Sequence, residues 1–239
     1  MLRGVIVAVV IPAWNEARLI EKTLASIPAF VDHVVVVDDA SEDETVARVR
    51  ALTDPRVVLT RHPVNRGVGA AISTGYAYAF ERGAQVAAVM AADAQMDPSD
   101  LATLLDPVVE GEADYAKGDR LSHPDAFWRM PLGRWVGNHA LSQLTRLATG
   151  LDVTDSQCGY TAIRRDAWEQ LAPAGLWPSY GYPNDLLSRA AIAKLRVRDV
   201  TVQPVYADER SGIRPRHLFT AFPFVLARGL FRRVRDIAA

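Results

Sequence analysis

Cysteine is almost absent. Cys158 is the single one among 239 residues, which excludes an intramolecular disulfide and fits a reducing compartment. The five histidines are scattered, and no Cys/His set has the spacing of a zinc site. Neither sign of charge dominates: the formal net charge is −1, so no global field gathers nucleic acid, and no nucleic-acid partner is expected. Long hydrophobic runs are missing too. No stretch reaches the roughly 20 apolar residues of a spanning helix. The apolar run after Arg3 is broken by Asn15 and Glu16 with no small-residue cleavage site, so no signal peptide is read and a cytoplasmic location is expected. Lysine occurs only at positions 22, 117 and 194, leaving arginine to carry the basic charge. There is no repeat, low-complexity segment or linker.

What remains is ordinary globular composition, long enough for one large domain. The first hundred residues alternate. Strands are expected at 5–11, 33–39, 56–62 and 84–93, and helices at 16–27, 41–52, 67–83 and 97–111. Ser41 and Glu44 have capping-box spacing, Asp97-Pro98 suits a helix start, and Gly83 suits a helix end. Past 111 the alternation loosens. A strand and turn are expected at 113–121, a helix at 133–150, a turn, strand and short helix at 155–171, a helix at 185–197 and a strand at 198–206. Continuous apolar strands between amphipathic helices predict an α/β fold, its mostly parallel central sheet covered by helices on both faces. Ligands of such sheets bind outside the carboxyl ends of the strands.

Three strand ends present polar groups on that edge. The first runs into Pro12-Ala13-Trp14-Asn15-Glu16, the second ends in Asp38-Asp39, and the fourth ends in Ala92-Asp93-Ala94-Gln95. Asp93 and Gln95 are two apart, which on an extended segment points both side chains one way. A carboxylate and an amide oxygen are hard ligands suited to Mg²⁺ or Mn²⁺. Two are too few for a cage of protein groups alone, but enough if a diphosphate supplies others. The bland alternative makes Asp93 a helix cap and Gln95 a surface residue. Asp38 and Asp39 point to opposite sides of their strand; one can accept hydrogen bonds from a base or ribose, the other caps or faces the metal region. "NRGVGAA" (65–71) has Ile72 where a dinucleotide fingerprint needs a small residue, so its glycines are read as allowing close helix packing, with Asn65 and Arg66 near a phosphate.

In order and spacing, "VVIPAWNE", "VVVVDDASEDET", "NRGVGAA" and "AADAQMDP" resemble the nucleotide-sugar half of glycosyltransferase family 2, the GT-A (Rossmann-like) fold. "KGDR", "DSQCGY" and "PVYADERSGIR" resemble its dolichol-phosphate mannose synthase and polyprenyl-phosphate sugar synthase branch. The resemblance implies a single domain over 1–217, with a nucleotide-binding half at about 1–111 and an acceptor half at about 112–217, then a C-terminal helix at 218–239. It places Pro12, Ala13, Asn15, Glu16, Asp38, Asp39, Ala92 and Asp93 around the nucleotide sugar, and Asp93 and Gln95 on a Mg²⁺ or Mn²⁺ ion. The family's usual Asp-x-Asp has lost its first acid here, to Ala91.

The implied reaction is inverting transfer of a hexose from a nucleoside-diphosphate sugar to a polyprenyl phosphate. A lipid phosphate is already anionic near pH 7 and needs cations more than a base. Arg120, Arg134, Arg210 and Arg214 are the candidates, Arg120 with Asp93 and Asp185 forming the catalytic set; each arginine is equally readable as a solvated surface residue. Asp185 begins a helix, where it serves either as the base for a hydroxyl acceptor or as an ordinary N-terminal helix charge. Asp155 orients the acceptor region. A transferase with a carbohydrate or other hydroxyl acceptor stays open as an alternative. So do a sugar nucleotidyltransferase, which would want a glycine-rich basic loop after the first strand, and a non-catalytic nucleotide-sugar binder, which Ala91 favours. Residues 217–236 are apolar and arginine-rich; they suit an interfacial helix at the cytoplasmic face of a membrane or a last helix docked on the core.

Overall fold

The protein is described by a computed structural model over residues 1–171, 175–206 and 221–237. Strands β1 (Val7–Ala13), β2 (His33–Asp38), β3 (Val57–Arg61) and β4 (Val86–Val89) are all parallel. They alternate with helices α1 (Ile20–Ala25), α2 (Thr45–Ala51) and α3 (Val68–Glu81). A 3₁₀ turn at Pro98–Asp100 leads into α4 (Leu101–Val109). The second half holds β5 (Tyr115–Asp119), α5 (Ala126–Arg129), α6 (Leu132–Thr149), β6 (Thr161–Arg164), α7 (Arg165–Gln170), α8 (Tyr182–Ile192), β7 (Val197–Thr201) and α9 (Ala221–Ile237). One sheet runs β3-β2-β1-β4-β6-β5-β7, with β6 antiparallel to both its neighbours.

Strand β1 shows why the apolar runs become central strands. Val7, Val9 and Ile11 join one core cluster with Ile20, Leu24 and Leu104. Ala8 and Val10 join the opposite cluster with Ile72, Tyr76 and Phe80 of α3. Successive side chains leave a strand on opposite faces, so a strand covered on both must be apolar throughout. Helix α3 rides close to the sheet through Gly75, where an added Cβ would stand 2.2 Å from Val10 Cγ1.

The expected fold class holds, with local corrections. Helix α1 starts at Ile20 instead of 16: Asn15 takes a left-handed φ of 57° and residues 17–19 form a turn, with the Asn15 and Glu16 amides held by Ser41 Oγ (2.9 Å) and Thr45 Oγ1 (2.8 Å). That engagement also removes the expected capping box: Ser41 serves the neighbouring loop, α2 starts at Thr45, and Asp43 Oδ1 accepts the Thr45 N–H at 2.9 Å. Strand β4 stops at Val89. The Ala91 N–H turns to Met96 Sδ (3.1 Å) and Ala94 takes a left-handed φ of 57°, so residues 91–96 fold back as a turn and are not extended.

Helix α9 packs on α8 and α6, with Gly229 against Ser188 and Val225 against Gly181. Among the described residues no helix is long and apolar enough to cross a membrane. The expected boundary at 217 lies outside the described residues.

Candidate active site

Two loops on the carboxyl edge, after β1 and β2, are stitched together. Besides the Ser41 and Thr45 bonds, Asn15 Oδ1 accepts the Glu42 N–H at 2.8 Å, and the Ala17 N–H donates to Asp43 Oδ2 at 3.1 Å. Asn15 sits at φ 57°, a left-handed conformation that asparagine tolerates better than most residues. Pro12 pairs in register with Val37, and Ala13 accepts the Asp39 N–H at 2.8 Å.

The two acids ending β2 behave differently. Asp39 is consumed by the fold: its oxygens accept the Arg66 (2.9 Å) and Gly67 (2.7 Å) amides, and His62 Nδ1 lies 2.6 Å away. Asp38 is fully buried. Its Oδ2 accepts the Ser41 N–H (3.2 Å) and pairs with Arg61 Nε (3.0 Å), while its Oδ1 has no partner among the described residues. A buried acceptor left unpaired costs about 1–3 kcal/mol, which a donor group of a bound molecule would relieve.

In the turn after β4, Asp93 Oδ1 accepts the Gln95 N–H at 3.0 Å, and the buried Ala92 carbonyl accepts the Thr23 hydroxyl at 3.0 Å. Glu16 reports the local field. Burial first, then the negative charges of Asp93 and Asp43, push its carboxyl up to about 7, with Arg18 opposing. A carboxyl raised in part by neighbouring negative charge in this way suits a cation. No group of three or more His, Cys, Asp or Glu side chains able to hold a metal occurs among the described residues. The donors present, Asp93 and Gln95, fit a hard divalent ion completed by ligand oxygens.

The glycines of "NRGVGAA" admit backbone and not a ligand. An added Cβ at Gly67 or Gly69 would lie 2.4 Å from the Pro178 carbonyl oxygen or 2.2 Å from that of Trp177. The Pro178 carbonyl accepts the Gly69 (2.8 Å) and Ala70 (3.2 Å) amides, so the start of α3 is capped by chain.

Antiparallel β6 brings the "KGDR" and "DSQCGY" motifs to the same edge. It begins at Thr161 opposite Val89 and Lys117, so the 155–160 loop lies where β4 and β5 end. Asp155 is wholly buried and holds Arg120 by two bonds, Nε to Oδ2 at 2.8 Å and Nη2 to Oδ1 at 3.1 Å. Burial alone would raise the Asp155 carboxyl, but Arg120 keeps it below the usual carboxylate range. Arg120 Nη1 reaches the Tyr206 hydroxyl at 3.4 Å, and the Arg134 guanidinium stands 5.3 Å from the Tyr206 ring centre. The sheet end thus gathers two of the four expected arginines around one tyrosine. Arg210 and Arg214 lie outside the described residues.

Asp185 is held elsewhere. It is fully buried; Oδ2 accepts the Trp177 N–H (3.0 Å) and Arg189 Nε (3.2 Å), and Oδ1 pairs with Arg232 of α9 at 2.6 Å.

Three further side chains shape the site. Tyr206 was visible only as part of a quoted motif. Lys117 is wholly buried, donates to the Cys158 carbonyl and has its pKa lowered by burial; the "KGDR" motif contained it without revealing that role. Arg61, the partner of Asp38, carried no sequence signal.

The profile described as "Glycosyl transferase family 2" matches residues 8–172. The UDP-N-acetylglucosamine--dolichyl-phosphate N-acetylglucosaminyltransferase of Methanococcus voltae is 31% identical over 218 residues, 85% of this chain and 87% of its own. The undecaprenyl-phosphate mannosyltransferase of Micrococcus luteus is 32% identical over 201 residues, 82% of each chain. Glucosyl-3-phosphoglycerate synthase from Mycobacterium tuberculosis, solved with Mn²⁺, UDP and glucosyl-3-phosphoglycerate, superposes with a TM-score of 0.72 at 24% identity, over 96% of this chain and 80% of that one. That likeness shows the shared fold.

Proposed function

The chain belongs to glycosyl transferase family 2 and is a hexosyltransferase, and from that premise we propose that it moves a hexose from a nucleoside-diphosphate sugar to a polyprenyl phosphate of the dolichyl or undecaprenyl type, with inversion at C1. The observation that carries this reading is the arginine pair: Arg120 locked by Asp155, with Arg134 beside it across Tyr206. Guanidinium forks aimed from a rigid edge suit phosphate.

The nucleotide lies over the β1 and β2 ends, where the unpaired Asp38 Oδ1 accepts a hydrogen bond from base or ribose. Asp93 and Gln95, beside Glu16, would hold Mg²⁺ or Mn²⁺; such an ion offsets charge developing on the leaving diphosphate. Arg120 and Arg134 hold the acceptor phosphate in line with C1. One phosphate oxygen forms the new C1–O bond as the C1–O bond to the nucleoside diphosphate breaks. The attacking oxygen is already anionic, since a phosphate monoester has its second pKa near about 6. No proton has to be removed, and this accords with Asp185 being engaged by Arg189, Arg232 and the Trp177 amide.

The test is a transfer assay with UDP-, GDP- and dTDP-hexoses and a short polyprenyl phosphate, with and without Mn²⁺. Metal-dependent product with one donor is expected. Transfer to sugar hydroxyls but never to the lipid phosphate would overturn the acceptor assignment.

A further inference from the structure

The turn that carries Asp93 and Gln95 is closed by sulfur. The Ala91 N–H donates to Met96 Sδ at 3.1 Å, and that bond folds the 91–96 segment back on itself with Asp93 and Gln95 inside the loop. A thioether is a weak acceptor, and Ala94 within the loop holds a left-handed φ of 57°, which a residue with a Cβ adopts at a cost. Met96 also faces away from the turn. It packs on the core cluster that includes Leu101 and Leu104, and its Cε stands 3.4 Å from where a Cβ on Gly159 would lie. The next carbonyl, that of Asp97, accepts the Tyr160 hydroxyl at 3.1 Å. Met96 therefore joins the turn after β4 to the loop whose Asp155 holds Arg120.

We propose that Met96 is an oxidation site: a peroxide that converts its thioether to a sulfoxide opens the 91–96 turn and withdraws Asp93 and Gln95 from a divalent ion. The second clause rests on the metal reading above. The step balances simply. A sulfur lone pair attacks one peroxide oxygen, the S–O bond forms as the O–O bond breaks, and the other oxygen leaves as water; sulfur gives up the two electrons that the peroxide gains. The product is polar where the thioether was apolar. To accept the Ala91 N–H, its oxygen must push that amide outward by one S–O bond length, and the ligands move with it. Exposure selects the residue. Of the four methionines, Met90 (1% exposed) and Met130 (4%) are buried, whereas Met96 is only partly so. Met1 is exposed, but its amine bonds to Phe30 and Asp32 at the amino ends of the strands, away from the site. Cys158, the other sulfur a peroxide could attack, is buried, and burial pushes its thiol up, which withholds the reactive thiolate.

The experiment treats the full chain with hydrogen peroxide and follows each methionine and Cys158 by peptide mass spectrometry. Calorimetry then measures UDP and GDP binding with and without Mn²⁺, and amide hydrogen exchange is compared across 91–96. Oxidation at Met96 should weaken Mn²⁺-dependent nucleotide binding by about 10–100-fold, the usual cost of losing a group that orients metal ligands. Binding without Mn²⁺ should hold, and exchange should rise at 91–96 but not in β1 or β2. Methionine sulfoxide reductase should restore both. Met96→Leu, which also lacks the acceptor, should start about three- to tenfold weaker and lose nothing further in peroxide. The proposal is overturned if Met96 stays reduced under peroxide that oxidises Met1, or if it oxidises with neither readout changed. It is also overturned if Met96→Leu loses binding to peroxide as wild type does, which would point to Cys158, or if exchange rises throughout the chain. Should Met96→Leu fail to fold, repair of the oxidised wild type by the reductase decides. Reduced wild type that binds nucleotide equally with and without Mn²⁺ would sink the metal reading alone, and exchange at 91–96 would then judge the oxidation site by itself.

Discussion

The two halves of the sheet answer their carboxylates in different ways. At the β2 end, Asp39 is bound by backbone amides of the 66–67 loop and by His62, while its neighbour Asp38 pairs with the half-exposed Arg61. At the β5 end, Asp155 is bound chiefly by a guanidinium, that of Arg120, and on α8 Asp185 is bound by Arg189 and Arg232. Amides are neutral, so the acid they answer shapes a loop and keeps its negative charge. Arginines answering buried acids hold a stiff cation at the surface of the sheet end. The first arrangement suits a neutral base and ribose; the second suits a phosphate. Between them lies the 91–96 turn after β4.

The largest effect should come from that junction. Asp93→Ala should abolish hexose transfer, a loss of about three decades or more, along with any Mn²⁺-dependent donor binding seen by calorimetry; a variant keeping most of its activity would separate the turn from the chemistry. Next in size is Asp155→Asn. It leaves Arg120 short of its countercharge and should cost about 3 kcal/mol in urea unfolding. The Asp155 pKa is depressed in the fold. Its contribution is therefore fully present above the unfolded carboxylate pKa of about 3.9 and is lost as pH falls through the lower folded value. The stability gap between variant and wild type should accordingly close in acid. A gap that persisted unchanged there would mean that the ion pair is not its source.

Arg134→Ala tests the phosphate half more cleanly than Arg120→Ala, because Arg134 makes no ion pair among the described residues, whereas removing Arg120 strands Asp155. Turnover with a short polyprenyl phosphate should fall by about one to two decades with the fold intact. Equal turnover would move the acceptor elsewhere. Asp38→Ala should weaken donor nucleotide binding by about tenfold and leave lipid-phosphate affinity untouched; unchanged calorimetric affinity for every donor would remove Asp38 from nucleotide recognition. Smallest should be the catalytic effect of Asp185→Asn. Turnover should stay within about threefold, against a loss on the order of 10²–10⁴ for a general base, while the thermal midpoint drops as α9 loosens. An inactive but folded variant that still binds donor would reverse the two acceptor readings.

Legibility followed sequence distance. The Gly83 and Gly150 helix ends and the Asp97-Pro98 start rest on nearest neighbours and are where the residues imply, while the first strand, expected at 5–11, lies two residues later at Val7–Ala13. Errors arose where side chains reach across loops. Ser41 looked like a cap for its own helix and serves Asn15 instead, 26 residues away. The β4 strand looked longer because nothing in "AVMAAD" reveals that a methionine sulfur will take the Ala91 amide. The pairing of Asp155 with Arg120 spans 35 residues and that of Asp185 with Arg232 spans 47. No periodicity connects such positions, so the acceptor side could be named from motifs but not assembled. Asp93 and Gln95 were found as neighbours, but the extended segment assumed for them is a turn.

The contact of Gly67 and Gly69 with the Trp177-Pro178 backbone bears on how this protein could exchange parts with its relatives. An N-terminal and a C-terminal part from two different chains would meet there, carbonyl against helix start, with no room for a methyl group. Recombination between residues 70 and 175 therefore needs both borders of that seam to match at once. A chimera that keeps its own glycines but imports a loop with a different backbone path would leave the first amides of α3 uncapped. Shuffled libraries should consequently retain 65–70 and 175–182 as one inherited unit, however far apart they stand in the gene.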